Sequence, residues 1–429
     1  MSCHQPAAHS PLTDPEHPCY INPNRHMVNG RTSLFVCCSI FARRLTLACH
    51  ASDPLTACHR MASYLLAIGK MTETKEITRT YQATLEDGSQ VSYILRGLEE
   101  DEIKPWATFC ASIFAYKTNP PPPEYFERHF YNDPLRRASL IRVALTMDSD
   151  RAATQIVASC RVFERFVSDG KGGSIRAGGI GEVCTNTHHR RRGLSKELLR
   201  DCIDIMEESG MKASILHAAP TFFPVYRSMG YQCTKSEWSL LDVSIPPTVV
   251  HEENNLVREA VFPDDTATLM ALHQSFSETK FVGCIVRYED YWNTYLSNEL
   301  KGSLFVLEDP SSKKPFASLS VRPRGDRWQL REFSYSENSA CSLSQAVRIL
   351  LRKALTQALP TDAKKLHLPT FLEQILRQDR DTNKDWISWD SVVEENDEGW
   401  MYRPIGAEGI SVVELSQTCP HLIWPADSF

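Results

Sequence analysis

The segment 183–196 is the sequence feature that most constrains how this chain folds. A strand-forming run over residues 179–185 leads into a short basic turn, and an amphipathic helix predicted over Leu194–Glu208 begins directly after it. The first N–H groups of a helix have no intrahelical acceptor, and the helix dipole adds positive potential there. Gly193 and the three arginines before it therefore indicate a cradle for a pyrophosphate, with a solvated basic turn as the alternative.

A second motif lies on a short helix predicted over residues 222–229, which carries Tyr226 and is followed by a Gly-Tyr pair. Together with the Arg-x-x-Gly-x-Ser motif at residues 190–195, it resembles the GNAT superfamily of acetyl-CoA-dependent N-acetyltransferases, over residues 90–242. The family pattern has Gly or Ala where this chain has Ser195, a small change that still leaves room for a pyrophosphate. The resemblance implies an α/β fold with a mixed sheet, and acetyl-CoA as the co-substrate without a metal.

The resemblance also implies a role for each residue of the two motifs. Backbone groups of the strand would pair with the pantetheine arm, and the turn and the helix start would hold the pyrophosphate. Tyr226 matches the family tyrosine that protonates the departing thiolate, and a tyrosine packed in the core is the alternative. The implied coenzyme contacts are Val183, Cys184, Thr185, Arg190, Arg191, Arg192, Gly193, Leu194, Ser195 and Lys196.

Acetyl transfer to an amine also needs a proton acceptor, because an amine near pH 7 is mostly ammonium. Glu182 lies beside the cradle and is one candidate, although strand alternation can turn it away, and a surface or salt-bridged carboxylate is its alternative interpretation. Eis-like enzymes use their C-terminal carboxylate, which in this chain belongs to Phe429. His217, on the strand before the tyrosine helix, is a candidate to line the substrate channel, with a buried, hydrogen-bonded histidine as the alternative.

The order of elements recurs without sequence identity beyond a Pro-Pro linker at residues 245–248. Helices of this second half are predicted over residues 264–276, 288–300 and 343–359. The aromatic-rich C-terminal stretch is expected to add strands that close it. The turn at residues 336–342 lacks Gly and Arg, so the second half is predicted to bind no coenzyme A.

This layout is similar to that of the fungal lysine N6-acetyltransferase and Eis-like families, in which a degenerate acetyltransferase-like domain follows the active one. We therefore expect a leader at residues 1–75, a GNAT acetyltransferase domain at residues 80–243 and a degenerate GNAT-like domain at residues 250–429.

The leader differs from the rest of the chain in composition. Residues 1–70 hold six of the 14 cysteines and six of the 14 histidines, with an excess of basic residues. They contain no C-x2-C pair with zinc spacing, so no metal site is predicted. A disordered leader is expected, either a targeting peptide or an extension outside the folded protein. The remaining cysteines show no disulfide framework, which favours the cytoplasm, or an organelle if the leader is a transit peptide.

The composition of the chain excludes some classes of function. A net charge of −6 argues against a nucleic-acid binder, and the sequence has no uncharged apolar run long enough to cross a bilayer. We expect an N-acetyltransferase that transfers acetyl from acetyl-CoA to a primary amine, lysine-like or otherwise cationic, on a small molecule or a protein. The alternative is a catalytically weak acyl-CoA-binding or scaffold protein, because the second half has lost the phosphate motif.

Overall fold

The chain folds around two β-sheets whose strand orders repeat. The computed structural model describes residues 78–116, 120–147, 153–244, 256–339, 341–357 and 363–427. The predicted leader and Phe429 lie outside these residues.

Sixteen strands are present in the described residues. In chain order they are β1 Arg79–Thr84, β2 Gln90–Gly97, β3 Ile141–Met147, β4 Ala153–Asp169, β5 Ser174–Thr185, β6 Ala213–His217, β7 Gln232–Cys233, β8 Trp238–Val243, β9 Val257–Glu259, β10 Val282–Ile285, β11 Leu304–Glu308, β12 Pro315–Arg324, β13 Arg327–Tyr335, β14 Lys365–Pro369, β15 Ile387–Glu394 and β16 Trp400–Pro404.

Ten α-helices accompany these strands in the same part of the chain. They are α1 Ile103–Ile113, α2 Pro123–Tyr131, α3 Leu194–Glu208, α4 Phe223–Arg227, α5 Thr266–His273, α6 Ser297–Glu299, α7 Leu343–Gln357, α8 Thr370–Gln378, α9 Arg380–Asn383 and α10 Val412–Leu415. Two of the predicted helices are π-helical over part of their length, at Gln274–Glu278 after α5 and at Tyr291–Leu296 before α6.

The two sheets share one pattern of strand directions. The first sheet runs β1-β2-β3-β4-β5-β6-β16-β7, with β10 added along β4, and the second runs β9-β11-β12-β13-β14-β8-β15. Every pair of neighbours is antiparallel except β5 with β6 and β13 with β14. The mixed α/β fold predicted from the sequence is confirmed, and the repeat of element order is a repeat of topology.

The two sheets exchange one strand each. Strand β16, from the C-terminal stretch, lies between β6 and β7, with Tyr402 opposite Ile215. Strand β8 lies between β14 and β15, with Leu241 opposite Leu366. The prediction that the C-terminal strands all close the second half is wrong for β16, because that strand pairs with one far earlier in the chain. The domain boundary near residue 243 stays a prediction.

Helix α3 covers one face of the first sheet, and α1 and α2 cover the opposite face. Leu198 and Met206 of α3 are fully buried against that sheet. The helix has the bounds predicted from its sequence, and it ends where Gly210 adopts a φ of 72°. There the N–H of Met211 donates to the carbonyl of Met206 at 2.9 Å, which closes the last turn.

Two further features of the described residues concern their helices and their cysteines. None of their helices is both long and apolar enough to cross a membrane. Their eight cysteines are all free thiols.

Candidate active site

Strands β5 and β6 separate at one end and leave an opening in the first sheet. Their parallel pairing ends with Ile180 opposite Leu216, whereas β5 continues to Thr185. Over the described residues, no strand pairs with the β6-facing side of residues 181–185. Backbone groups on that side are therefore available to a ligand that extends the sheet, apart from the Thr185 carbonyl, which accepts a hydrogen bond from Nε of Arg190 at 3.3 Å. The opening lies where the sequence predicts the pantetheine arm.

A β-bulge at this opening determines where Glu182 points. The pairing of β4 with β5 shifts between Arg161–Gly181 and Ser159–Cys184, and Glu182 has a φ of 53°. Its carboxylate lies 3.5 Å from Nη1 of Arg161, with only 8% of the side chain exposed. Burial raises the pKa of Glu182, and the charge of Arg161 partly offsets this.

The turn that leads into α3 presents backbone N–H groups outward. Arg191 has a φ of 62° and Gly193, the N-cap residue, a φ of 76°. The first amides that donate to the Gly193 carbonyl are those of Lys196 and Glu197, at 3.0 and 3.1 Å. The amides of residues 191–195 donate to no acceptor in the described part of the chain, so this turn has the geometry of an anion site.

Two tyrosines from the N-terminal strands hold the turn in place. The Tyr81 hydroxyl donates to the carbonyl of Arg192 at 2.9 Å. A Cβ added at Gly193 would lie 2.6 Å from the Tyr81 oxygen, so the positive φ and this contact both require glycine. The guanidinium of Arg192 donates to the Tyr93 hydroxyl at 2.5 Å and to the carbonyl of His188 at 2.7 Å. Arg192 therefore shapes the turn with its side chain.

The remaining predicted coenzyme contacts divide between the surface and the core. Arg190 and Arg191 are exposed, and Lys196 is half-buried. The hydroxyls of Thr185 and Ser195 are 2.8 Å apart, which joins the end of β5 to the first turn of α3. Cys184 and Leu194 are buried, and Val183 packs against the α3 side of the sheet.

Helix α4 places Tyr226 on the same side of the sheet as α3. The N–H of Tyr231 donates to the Tyr226 carbonyl at 3.1 Å, and Gly230, with a φ of 84°, ends the helix. The Tyr226 side chain packs against the α3 cluster, and its ring centroid is 6.0 Å from that of Tyr231. Burial raises the pKa of Tyr226 to about 12, so the phenol is neutral and keeps its proton at physiological pH.

A surface cavity of about 480 Å³ lies between α3 and the end of α4. Its charged lining consists of Lys196, Arg200, Asp204 and Arg403. The Arg403 guanidinium donates to the Met229 carbonyl at 2.7 Å, which joins β16 to this wall. Because Lys196 also belongs to the cradle, the cavity continues from the cradle along α3.

Sequence reasoning missed the groups that lock the site from distant parts of the chain. Tyr81, Tyr93 and Arg161 are among them, and so is Asp397, whose carboxylate lies 3.0 Å from Nε2 of His217. Each of these contacts joins residues remote in sequence, so no local pattern predicts it. Glu182 and Tyr226 lie on opposite faces of the sheet, and Phe429 lies outside the described residues.

Comparisons with known proteins agree with this geometry. Residues 95–234 match the family model described as an acetyltransferase (GNAT) domain. A probable N-acyltransferase from Enterococcus faecalis V583 shares 13% identity at a TM-score of 0.51, covering 76% of this chain and 74% of that chain. A GCN5-related N-acetyltransferase from Anabaena variabilis shares 15% identity at a TM-score of 0.51, covering 73% of each chain. The comparison with curated proteins found no match.

Proposed function

From the acetyltransferase (GNAT) domain that this acyltransferase carries at residues 95–234, we propose that the protein transfers acetyl from acetyl-CoA to a primary amine. The observation that carries the proposal is the opening between β5 and β6, together with the outward amides at the start of α3. A lysine-like or otherwise cationic amine is the proposed acceptor class.

The residues around the opening fit coenzyme A. The strand edge at Val183 and Thr185 suits the amide groups of a pantetheine arm, and the outward amides of residues 191–195 suit a pyrophosphate. Arg190 and Arg191 add exposed positive charge beside these amides. The cavity along α3, with three cationic side chains and one carboxylate, suits the phosphorylated nucleotide end.

Tyr226 supports the chemical step as general acid. The bound coenzyme supplies an activated acetyl group as a thioester, and attack by the amine breaks the C–S bond. Tyr226 holds a proton at its hydroxyl at neutral pH and can donate it to the departing sulfur. No described protein group accepts a hydrogen bond from that hydroxyl, which leaves the proton for a substrate atom.

Acidic side chains support a cationic acceptor. Glu182 lies at the opening on the face covered by α2, and Asp397 lies near the end of β6. Two carboxylates beside the opening favour the approach of an ammonium group. Glu182 remains a candidate for the proton acceptor.

The decisive experiment measures free thiol release from acetyl-CoA by the purified protein with lysine, a polyamine and an aminoglycoside as acceptors. We expect release that depends on one or more of these amines. Stoichiometric coenzyme binding without amine-dependent release would favour the acyl-CoA-binding or scaffold function instead. The observation behind that alternative is that the turn at residues 336–342 of the second half lacks the Gly and Arg of the phosphate motif.

A further inference from the structure

A histidine and a carboxylate form a hydrogen-bonded pair where β6 ends. Nε2 of His217 lies 3.0 and 3.1 Å from the two carboxylate oxygens of Asp397. A carboxylate can only accept, so Nε2 carries the proton and Nδ1 presents a lone pair. The His217 side chain is 46% exposed, which makes it accessible to a ligand.

The segment before β16 fixes this carboxylate. Asp397 exchanges two backbone hydrogen bonds of 2.9 Å with Ser236, and the N–H of Gly399 donates to its Oδ1 at 2.9 Å. The ring of Trp400 meets the His217 ring edge-on, with centroids 4.9 Å apart. The imidazole is therefore held in one tautomer by residues from the C-terminal stretch.

The pair lies on the face of the first sheet opposite to Tyr226. Leu216 faces the α3 side of the sheet with Tyr226, and strand alternation turns His217 to the other face, where Ile215 and Trp400 lie. Glu182 shares that face, because its partner Arg161 lies over the ring of Phe130 in α2, 5.4 Å from its centroid. His217 and Glu182 thus flank one side of the opening, and Tyr226 lies on the other.

The two candidate bases differ in accessibility. Glu182 is 8% exposed and paired with Arg161, whereas His217 is 46% exposed and its Nδ1 contacts no polar group in the described residues. A proton acceptor has to reach the ammonium directly or through one water. The exposed imidazole meets this requirement better than the buried carboxylate.

We propose that Nδ1 of His217 removes the proton from the acceptor ammonium, that Asp397 positions the imidazole, and that Glu182 attracts the ammonium to the opening. The proposal rests on the proposed function. The ammonium gives one proton to Nδ1, and the amine nitrogen forms a bond to the thioester carbon. The C–S electron pair passes to sulfur, Tyr226 donates a proton to it, and the second proton released from nitrogen restores Tyr226. His217 returns its proton to water.

Several titratable and charged groups lie around the pair. Burial opposes ionisation of Asp397, yet hydrogen bonding to His217 lowers the pKa of its carboxyl. Burial lowers the pKa of His421, behind Asp397, to about 3, and burial also lowers the pKa of His367. Glu395, 3.9 Å from Nε2 of His367, pairs with Arg327 and makes no contact with His217.

The test compares pH–rate profiles of His217→Gln, Asp397→Asn and Glu182→Gln with the wild type, using the amine that the wild type acetylates best. We expect His217→Gln to lower kcat by about 10²- to 10⁴-fold and to remove the acidic limb. Asp397→Asn should lower kcat by about tenfold and move that limb to lower pH, because the imidazolium loses a charged hydrogen-bond partner. Glu182→Gln should mainly raise KM and keep the limb.

Two controls separate this role from a structural one. Glu398→Gln removes a neighbouring exposed carboxylate and should leave the profile unchanged. Added imidazole should restore part of the rate of His217→Ala, which a folding defect would not allow. A wild-type profile in His217→Gln, or loss of the limb in Glu182→Gln instead, would overturn the assignment. Absence of transfer by the wild type to any amine would reject the proposed function, and this role with it.

Discussion

The two halves of the molecule treat equivalent helix starts in opposite ways. After β5, α3 begins at Gly193 with no side-chain cap, and the turn before it exposes its amides. After β13, the N–H of Ser342 donates to Oε1 of Gln345 at 3.1 Å, and the N–H of Gln345 donates to the Ser342 hydroxyl at 3.2 Å. This capping box gives partners to the amide of Ser342 and to that of Gln345 in the first turn of α7. That the second half binds no coenzyme A stays a prediction, which this difference supports.

The opening between β13 and β14, beside α7, is filled by protein side chains, unlike the opening between β5 and β6 beside α3. Strands β13 and β14 also part, after Gln329 opposite His367. Beyond that point Glu332 of β13 pairs with Arg287 at 2.5 Å, and Arg287 pairs with Asp427 at 2.6 Å, with all three side chains fully buried. In the second half, Arg287 and Asp427 therefore pack against β13, the strand that corresponds to β5 of the first half.

The comparison separates the topology of the two halves from the features that support the proposed coenzyme site. In each half, a helix connects two parallel neighbouring strands, and each sheet includes one strand from the other half. What distinguishes the first half is a set of unsatisfied amides and an unfilled strand edge. Binding potential here comes from groups that the fold leaves without partners.

Separating the halves should have the largest effect. A chain ending at residue 394 loses β16, whose Trp400, Met401 and Tyr402 are buried in the first sheet. Three such side chains contribute roughly 1.5–3 kcal/mol each, which together rivals a typical net stability of about 5–15 kcal/mol. We expect no cooperative thermal transition by circular dichroism. A cooperative transition of residues 78–244 alone would make the halves independent domains and would break the comparison.

Removing one hydroxyl from each half should affect activity very differently. Tyr226→Phe should lower kcat by about 10²- to 10⁴-fold with little change in coenzyme binding, because the proposed general acid is lost and the proposed cradle is intact. In the second half, the Tyr335 hydroxyl donates to the Cys341 carbonyl at 2.6 Å. Tyr335→Phe should leave turnover unchanged and reduce stability by about 1 kcal/mol. Normal turnover in Tyr226→Phe would make that tyrosine a core residue.

Local sequence signals predicted the helices α3 and α4 of the candidate site well. The bounds of α3 follow from Gly193, Gly210 and a clean amphipathic pattern, and the end of α4 follows from Gly230. The capping box of α7 also has a local signature, Ser-x-x-Gln, that becomes informative once the helix start is known.

Other features had no local signature. The exchange of β8 and β16 and the contact of Asp397 with His217 join residues remote in sequence, so periodicity cannot indicate them. The face of Glu182 depends on a β-bulge, which breaks the alternation used to assign strand faces.

Changes at Gly193 should weaken the coenzyme site by an intermediate amount. Gly193→Ala places a residue with a side chain in a left-handed backbone conformation, at a cost of about 1–2 kcal/mol. Its Cβ would also press against the Tyr81 hydroxyl. We expect about tenfold weaker acetyl-CoA binding by calorimetry, and a larger loss for Gly193→Glu, which adds negative charge beside the amides. Ser339→Ala, in the equivalent turn of the second half, should not alter affinity. Two coenzyme sites per chain would contradict the comparison directly.

Ser342→Ala should have the smallest effect and sharpen the comparison most. It removes the acceptor for the Gln345 N–H, and loss of a serine cap lowers the free energy of unfolding by about 1 kcal/mol. At the start of α3 the equivalent amides have no side-chain cap. A ligand that binds only the folded state stabilises it, so coenzyme at 100 times its Kd should raise the free energy of unfolding of the wild type by about 2.7 kcal/mol. Chemical denaturation with and without coenzyme measures both quantities. The variant should be less stable than the wild type in both conditions while the increment from coenzyme stays the same, because the two helix starts are satisfied independently. A smaller coenzyme increment in Ser342→Ala would mean that α7 contributes to the binding site.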